Sequence, residues 1–99
     1  MSFTESLYFY INISENLRKN LETYLKFSEL NLFPFPDGEY FAQPKVSVRG
    51  KKVFLFHSLS HPVNDNLMKL LITIDAVKRA AAKEINLIIT YLAYSRQDR

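Results

Sequence analysis

Ile85-Asn86-Leu87-Ile88-Ile89-Thr90-Tyr91 carries apolar side chains at both odd and even positions. A strand with one solvated face alternates apolar and polar residues, whereas a run apolar on both sides reads as a central strand of a parallel sheet covered by helices. Parallel strands cannot be joined by a tight turn, so a crossover element must precede this one. The sequence supplies it: Leu67, Leu70, Leu71, Ile74, Val77 and Ala81 recur at helical spacing and mark the inward face of a long helix. Pro62 and the capping side chains of Asn64-Asp65-Asn66 mark its start. Before the helix, Val53-Phe54-Leu55-Phe56 reads as a second fully buried strand.

Toward the amino terminus, Leu7-Tyr8-Phe9-Tyr10-Ile11-Asn12-Ile13 has the β-branched and aromatic content of a strand. Ser14 offers a hydroxyl to cap a following helix, where Leu17, Leu21, Tyr24 and Leu25 predict a face packed on the sheet. Leu32-Phe33-Pro34-Phe35-Pro36 cannot be helical with two prolines, and Asp37-Gly38 is a turn signal before Tyr40-Phe41-Ala42, so a β-hairpin is expected. Arg49-Gly50-Lys51-Lys52 is a second turn, after the alternating Val46 and Val48, and predicts another hairpin or tight return. The predicted order is βαβββαβ, with no internal repeat and no linker: one α/β domain over residues 1–99.

Composition narrows the function classes. Hydrophobic residues make up 47% of the chain, enough for a modest core at this size. There is no cysteine, so neither a disulfide framework nor a thiolate zinc site is possible. The formal charge of +3 suits anionic partners, but the basic residues are scattered, which fits phosphorylated small molecules and gives no nucleic-acid stripe. No apolar run approaches the roughly 20 residues of a membrane span, and Met1-Ser2-Phe3-Thr4-Glu5 lacks the positive start of a signal peptide. A cytoplasmic protein with no membrane partner is expected.

Three groups of residues invite a chemical reading. Arg96-Gln97-Asp98-Arg99 follows the last strand, and in open α/β sheets ligands bind at the carboxyl ends of strands. Arg96 has the planar fork of donors that suits phosphate oxygens, and Gln97 and Asp98 can hydrogen-bond a ribose or base; an ordinary charged loop has the same composition. Phe35-Pro36-Asp37-Gly38-Glu39 puts an aromatic face and two carboxylates in one turn, a combination able to stack on a purine and accept from its amino group, and also one found in ordinary hairpins. His57 and His61 lack helical metal-ligand spacing and a third ligand, so hydrogen bonding in a loop is expected of them. Lys78, Arg79 and Lys83 offset the dipole at the end of the long helix. There is no phosphate-binding glycine loop, no dinucleotide glycine fingerprint, and no nucleophile and base pair to assign as catalytic.

Taken in order, Ser47-Val48-Arg49-Gly50-Lys51-Lys52-Val53, Pro62-Val63-Asn64-Asp65-Asn66-Leu67-Met68, Asp75-Ala76-Val77-Lys78-Arg79-Ala80 and Tyr94-Ser95-Arg96-Gln97-Asp98-Arg99 are similar to the ribose-phosphate pyrophosphokinases, also called phosphoribosyl pyrophosphate synthetases. The resemblance is dense from Phe35 to Arg99 and covers about the first third of the family's usual length. It implies a partial three-layer, phosphoribosyltransferase-like domain with a mostly parallel central sheet and a β-hairpin, forming the amino-terminal part of the enzyme. It also implies transfer of the diphosphoryl group of magnesium-bound ATP to ribose 5-phosphate, giving phosphoribosyl pyrophosphate and AMP. ATP would be held by Arg96 and Gln97 of one subunit and by Phe35, Asp37, Gly38 and Glu39 of a neighbour. The assembly would be a homo-oligomer built from dimers, up to a hexamer.

By the same resemblance Ser47 and Arg49 belong to a region tied to phosphate or ADP regulation, where Ala81 stands in place of an expected serine. Ile11-Asn12-Ile13-Ser14 lacks the family's glycine-containing turn, and Thr90-Tyr91-Leu92-Ala93 departs from its proline- and glycine-bearing version. The magnesium ligands and the segment that holds ribose 5-phosphate do not occur in the 99 residues, so this chain alone is expected to be inactive. A non-catalytic regulatory or scaffold protein associated with the synthetase is the competing reading, and a stand-alone nucleotide-binding module is a third.

Overall fold

The structure, a computed structural model, describes residues 4–91. Its elements follow the predicted order: β1 (Ser6–Tyr10), α1 (Glu15–Leu21), β2 (Leu30–Pro34), β3 (Tyr40–Pro44), β4 (Lys52–Ser58), α2 (Val63–Arg79) and β5 (Glu84–Tyr91). β1, β4 and β5 form a parallel sheet in the order β1-β4-β5, and β2 and β3 form a separate antiparallel pair. The fold class is therefore α/β with a parallel sheet and a hairpin, as the sequence predicts.

Alternation along β4 separates the two faces of the sheet. Val53, Leu55 and His57 share one face and are fully buried; Val53 and Leu55 register with Leu7 and Phe9 of β1, and Val53 and His57 with Ile85 and Ile89 of β5. This face packs on α2 through Val77 and Ile74, and with Val48 it makes the core. On the other face the aromatic residues of neighbouring strands meet. Tyr8 stacks on Phe54 at 5.2 Å between ring centroids, and Phe27 sits edge-on to Tyr10 at 5.0 Å and to Phe56 at 5.5 Å.

The structure differs from the sequence reading at several points. Among the described residues β4 lies between β1 and β5, and β5 pairs on one side only, with Leu87 and Tyr91 44% and 45% exposed. The Ser14 cap forms as expected, its Oγ accepting from the Leu17 amide at 3.2 Å, but α1 is seven residues long and buries none of them. Tyr24, expected on its packed face, lies past its end and is 86% exposed, and the sheet is covered instead by Phe27. The turn at Gly50 forms, with the Lys51 amide donating to the Val48 carbonyl at 3.0 Å, yet it starts no second hairpin: Arg49 makes a single antiparallel bridge to Ala82, and β4 runs parallel to β1. α2 begins at Val63, so Asp65 and Asn66 lie within its first turn and serve other bonds, while Pro62 holds the cap position. On its inner face Asn66 and Thr73 are buried, whereas Leu71 is 50% exposed.

Ala81 closes α2 in the left-handed region at φ 67°, with the Ala82 amide donating to the Val77 carbonyl at 3.3 Å. A side chain there is strained by about 1–2 kcal/mol, against roughly 0.5–1 kcal/mol of extra unfolded-state entropy for glycine. Ala81→Gly is accordingly expected to stabilise the chain by about 0.5–1 kcal/mol, read as a raised urea midpoint.

Candidate functional site

The hairpin turn is built by backbone hydrogen bonds across its own base. Phe35 donates its amide to the Glu39 carbonyl at 2.6 Å, and Gly38 donates to the Phe35 carbonyl at 3.0 Å. Gly38 sits at φ 92°, a conformation that L side chains rarely adopt, which explains the Asp-Gly pair here. Asp37 Oδ1 accepts the Glu39 amide at 3.1 Å, so one carboxylate oxygen shapes the turn and the other has no partner among the described residues. The Phe35 ring leans on Phe33 and Phe41, at 5.8 and 6.1 Å between centroids, and remains 42% exposed. Phe35, Asp37, Gly38 and Glu39 are thus gathered on one exposed, internally bonded tip. Arg96 and Gln97 lie outside the described residues.

Because the hairpin shares no ladder with the parallel sheet, other contacts set its angle. β3 packs along α2, and Tyr40, the first residue of β3, donates its hydroxyl to the Asp65 carboxylate in the first turn of α2. Lys69, one turn on, places its ammonium 3.5 Å from Asp65 Oδ2 and 5.7 Å from the centre of the Tyr40 ring. The hydrogen bond to the Asp65 carboxylate, aided by burial and by the carboxylate's charge, raises the Tyr40 pKa above the ordinary tyrosine value of 10.0. The Tyr40 hydroxyl, followed in weight by an opposing burial effect and then by Lys69, lowers Asp65 below the ordinary 3.8. This trio was not legible in the sequence, because Tyr40 and Asp65 are 25 residues apart and no short motif links them.

The first turn of α2 is in turn tied to the sheet. Asn66 Nδ2 donates to the Ser60 carbonyl at 2.8 Å, and His57 Nε2 lies 2.7 Å from the Asn66 carbonyl. A carbonyl only accepts, so His57 is the tautomer protonated on Nε2, and its buried Nδ1 has no partner among the described residues. Contrary to the sequence expectation, His57 is a core residue of β4 and not a loop residue.

A cleft of about 620 Å³ opens beside the carboxyl end of β1, walled by Tyr10, Phe27, Asn31, Tyr40 and Lys69 among others. Its charged residues are engaged within the chain: Glu29 pairs with Lys45 at 3.1 Å and Glu22 with Arg18 at 3.1 Å. Among the described residues no three His, Asp or Glu side chains gather to hold a metal ion, so these residues do not fit a magnesium site by themselves. No described helix is long and apolar enough to cross a membrane.

The family model for the N-terminal domain of ribose phosphate pyrophosphokinase matches residues 6–99. The chain belongs to this family. It is 45% identical over 95 residues to a ribose-phosphate pyrophosphokinase of Ureaplasma parvum, covering 94% of this chain and 29% of that protein. It is 39% identical over 101 residues to ribose-phosphate pyrophosphokinase 1 of Streptococcus pneumoniae, covering 100% of this chain and 31% of the relative. The crystal structure of phosphoribosylpyrophosphate synthetase from Mycobacterium smegmatis superposes with a TM-score of 0.84 at 33% identity, covering 97% of this chain and 33% of that one. The chain therefore spans about a third of the length of the pyrophosphokinases it matches.

Proposed function

We propose that this chain is the amino-terminal, ATP-binding part of a cytoplasmic ribose-phosphate pyrophosphokinase in nucleotide biosynthesis. The observation that carries the reading is the hairpin tip, where an exposed aromatic ring and two carboxylates are fixed on one five-residue turn in a chain of this family. Phe35 stacks on the adenine, and Glu39 with the free oxygen of Asp37 accepts hydrogen bonds from its exocyclic amine. Arg96 and Gln97 of a second copy complete the site, the Arg96 guanidinium closing over the other face of the purine.

In the reaction, the anomeric hydroxyl of ribose 5-phosphate attacks the β-phosphorus of ATP. The bond between that phosphorus and the oxygen bridging it to the α-phosphate breaks, the hydroxyl proton is lost, and AMP leaves. Such a transfer rests on positioning and on neutralising phosphate charge, the latter being what magnesium supplies when bound. The share of the described residues is to fix the adenine end of ATP. The 99 residues alone are proposed to bind ATP without transferring its diphosphoryl group.

Isothermal calorimetry tests this. ATP binding is expected from the self-associated chain, and Phe35→Ala is expected to weaken it by about 1–3 kcal/mol, roughly 5- to 150-fold. Arg96→Ala should act likewise. No binding heat from the unaltered chain, or an unchanged affinity in Phe35→Ala, would remove the reading.

A further inference from the structure

We propose that Tyr40 is a positioning residue for the ATP-binding tip, its hydroxyl bonded to Asp65 holding the hairpin at the angle that presents Phe35, Asp37 and Glu39; this rests on the ATP reading given above. The geometry is that of a brace at the base of a lever. Tyr40 pairs with Pro34 at the last rung of the hairpin ladder, so the whole loop of residues 35–39 is suspended from this one pair. The loop's own hydrogen bonds found among the described residues are internal to it, so they do not set its direction, and they persist only as long as the rung beneath them is held.

Direction must come from outside the hairpin, and Tyr40 is where an outside bond reaches it. The acceptor is well anchored. Asp65 lies in the first turn of a 17-residue helix, and its neighbour Asn66 is fastened twice, to Ser60 and to the buried ring of His57 in the central strand. A continuous path therefore runs from the core of β4 through Asn66 and Asp65 to Tyr40 and the tip. Lys69 reinforces the joint by approaching both the Asp65 carboxylate and the Tyr40 ring. A phenylalanine at this position would keep the ring over Lys69 and lose the brace alone.

The test compares Tyr40→Phe, Asp65→Asn and Phe35→Ala in the full chain by two readouts. Hydrogen exchange at the Gly38 and Glu39 amides is expected to quicken in Tyr40→Phe by on the order of 3- to 10-fold, the equivalent of one hydrogen bond. ATP affinity is expected to fall by on the order of 3- to 10-fold, while the thermal midpoint falls only by the roughly 3–8 °C that one hydrogen bond is worth, leaving the chain folded at the assay temperature. Asp65→Asn keeps a carbonyl acceptor for the hydroxyl and should retain most of the affinity. Combining Tyr40→Phe with Asp65→Asn should add little to Tyr40→Phe alone, because both act on one bond.

Unchanged exchange at the tip in Tyr40→Phe overturns the brace. ATP affinity lost in Phe35→Ala but kept in Tyr40→Phe overturns the positioning role and leaves the ATP reading standing. ATP affinity indifferent to Phe35→Ala overturns the ATP reading itself, and the exchange readout then still decides whether Tyr40 restrains the loop.

Discussion

Phe9→Ala is expected to remove about 3–5 kcal/mol of folding stability, which in urea corresponds to a midpoint lower by roughly 2 M. Phe9 is fully buried on β1, opposite Leu55 of β4, and belongs to the cluster formed with Leu7, Val48, Val53 and Val77. Three consequences of truncation add together here. The apolar area of the ring returns to water only on unfolding, the core is left with a cavity the size of a phenyl ring, and the parallel strands around it are held by hydrogen bonds that resist collapse into the space. A domain of this length holds roughly 5–15 kcal/mol in total, so the variant retains a fraction of its stability and is expected to be partly unfolded near body temperature. Phe33→Ala is the control: Phe33 is of the same type but 46% exposed on the hairpin, and its loss should cost less than about 1.5 kcal/mol. Similar losses at the two positions would contradict this placement of the core.

The residues that made the fold legible are those whose local pattern and tertiary role agree. Asp37-Gly38 specifies a turn by its own backbone demands, and the alternating prolines and phenylalanines before it exclude a helix, so the hairpin could be read without knowing anything else. β4 and α2 were legible for a similar reason: strand and helix periods are long enough there to be unambiguous. Where the reading went astray, the missing information was what lies opposite an element. Leu17, Leu21 and Tyr24 have helical spacing, but spacing does not say whether a face has a partner, and in the structure the cover over the aromatic face comes from Phe27. β5 has the composition of a strand covered on both faces, and composition records how apolar a strand is, not which strands flank it; among the described residues its one neighbour is β4. The tip of the candidate site was legible as residue types on one turn. Its anchoring was not, because a hydrogen bond between Tyr40 and Asp65 depends on how a hairpin and a helix meet.

The same limit hid His57, and its burial leads to the second large effect expected. Replacing it with alanine should cost about 2–4 kcal/mol, from the lost hydrogen bond to Asn66 and the cavity left in a fully buried position. The intact chain should also lose stability in mild acid. Burial, with a smaller contribution from the Lys69 ammonium and against the bond to Asn66, lowers the His57 pKa below its ordinary 6.5. Protonation would place a charge and a second donor at Nδ1, which has no acceptor among the described residues. The unfolded chain therefore takes up the proton first. Stability from this group is fully present above pH 6.5 and declines as the pH falls from there through the lower folded-state value. Asp65, also lowered in the folded chain, acts in the same direction only below its ordinary 3.8, so the two windows are separate. Urea midpoints measured between pH 7.5 and 5 should fall in the unaltered chain and in His61→Gln, whose histidine is exposed, and should flatten in His57→Gln. A slope that persists in His57→Gln would place the responsible proton elsewhere. A slope that disappears would show that the ring joining β4 to the first turn of α2 must stay neutral, and with it the seat of Asp65, from which Tyr40 holds the hairpin.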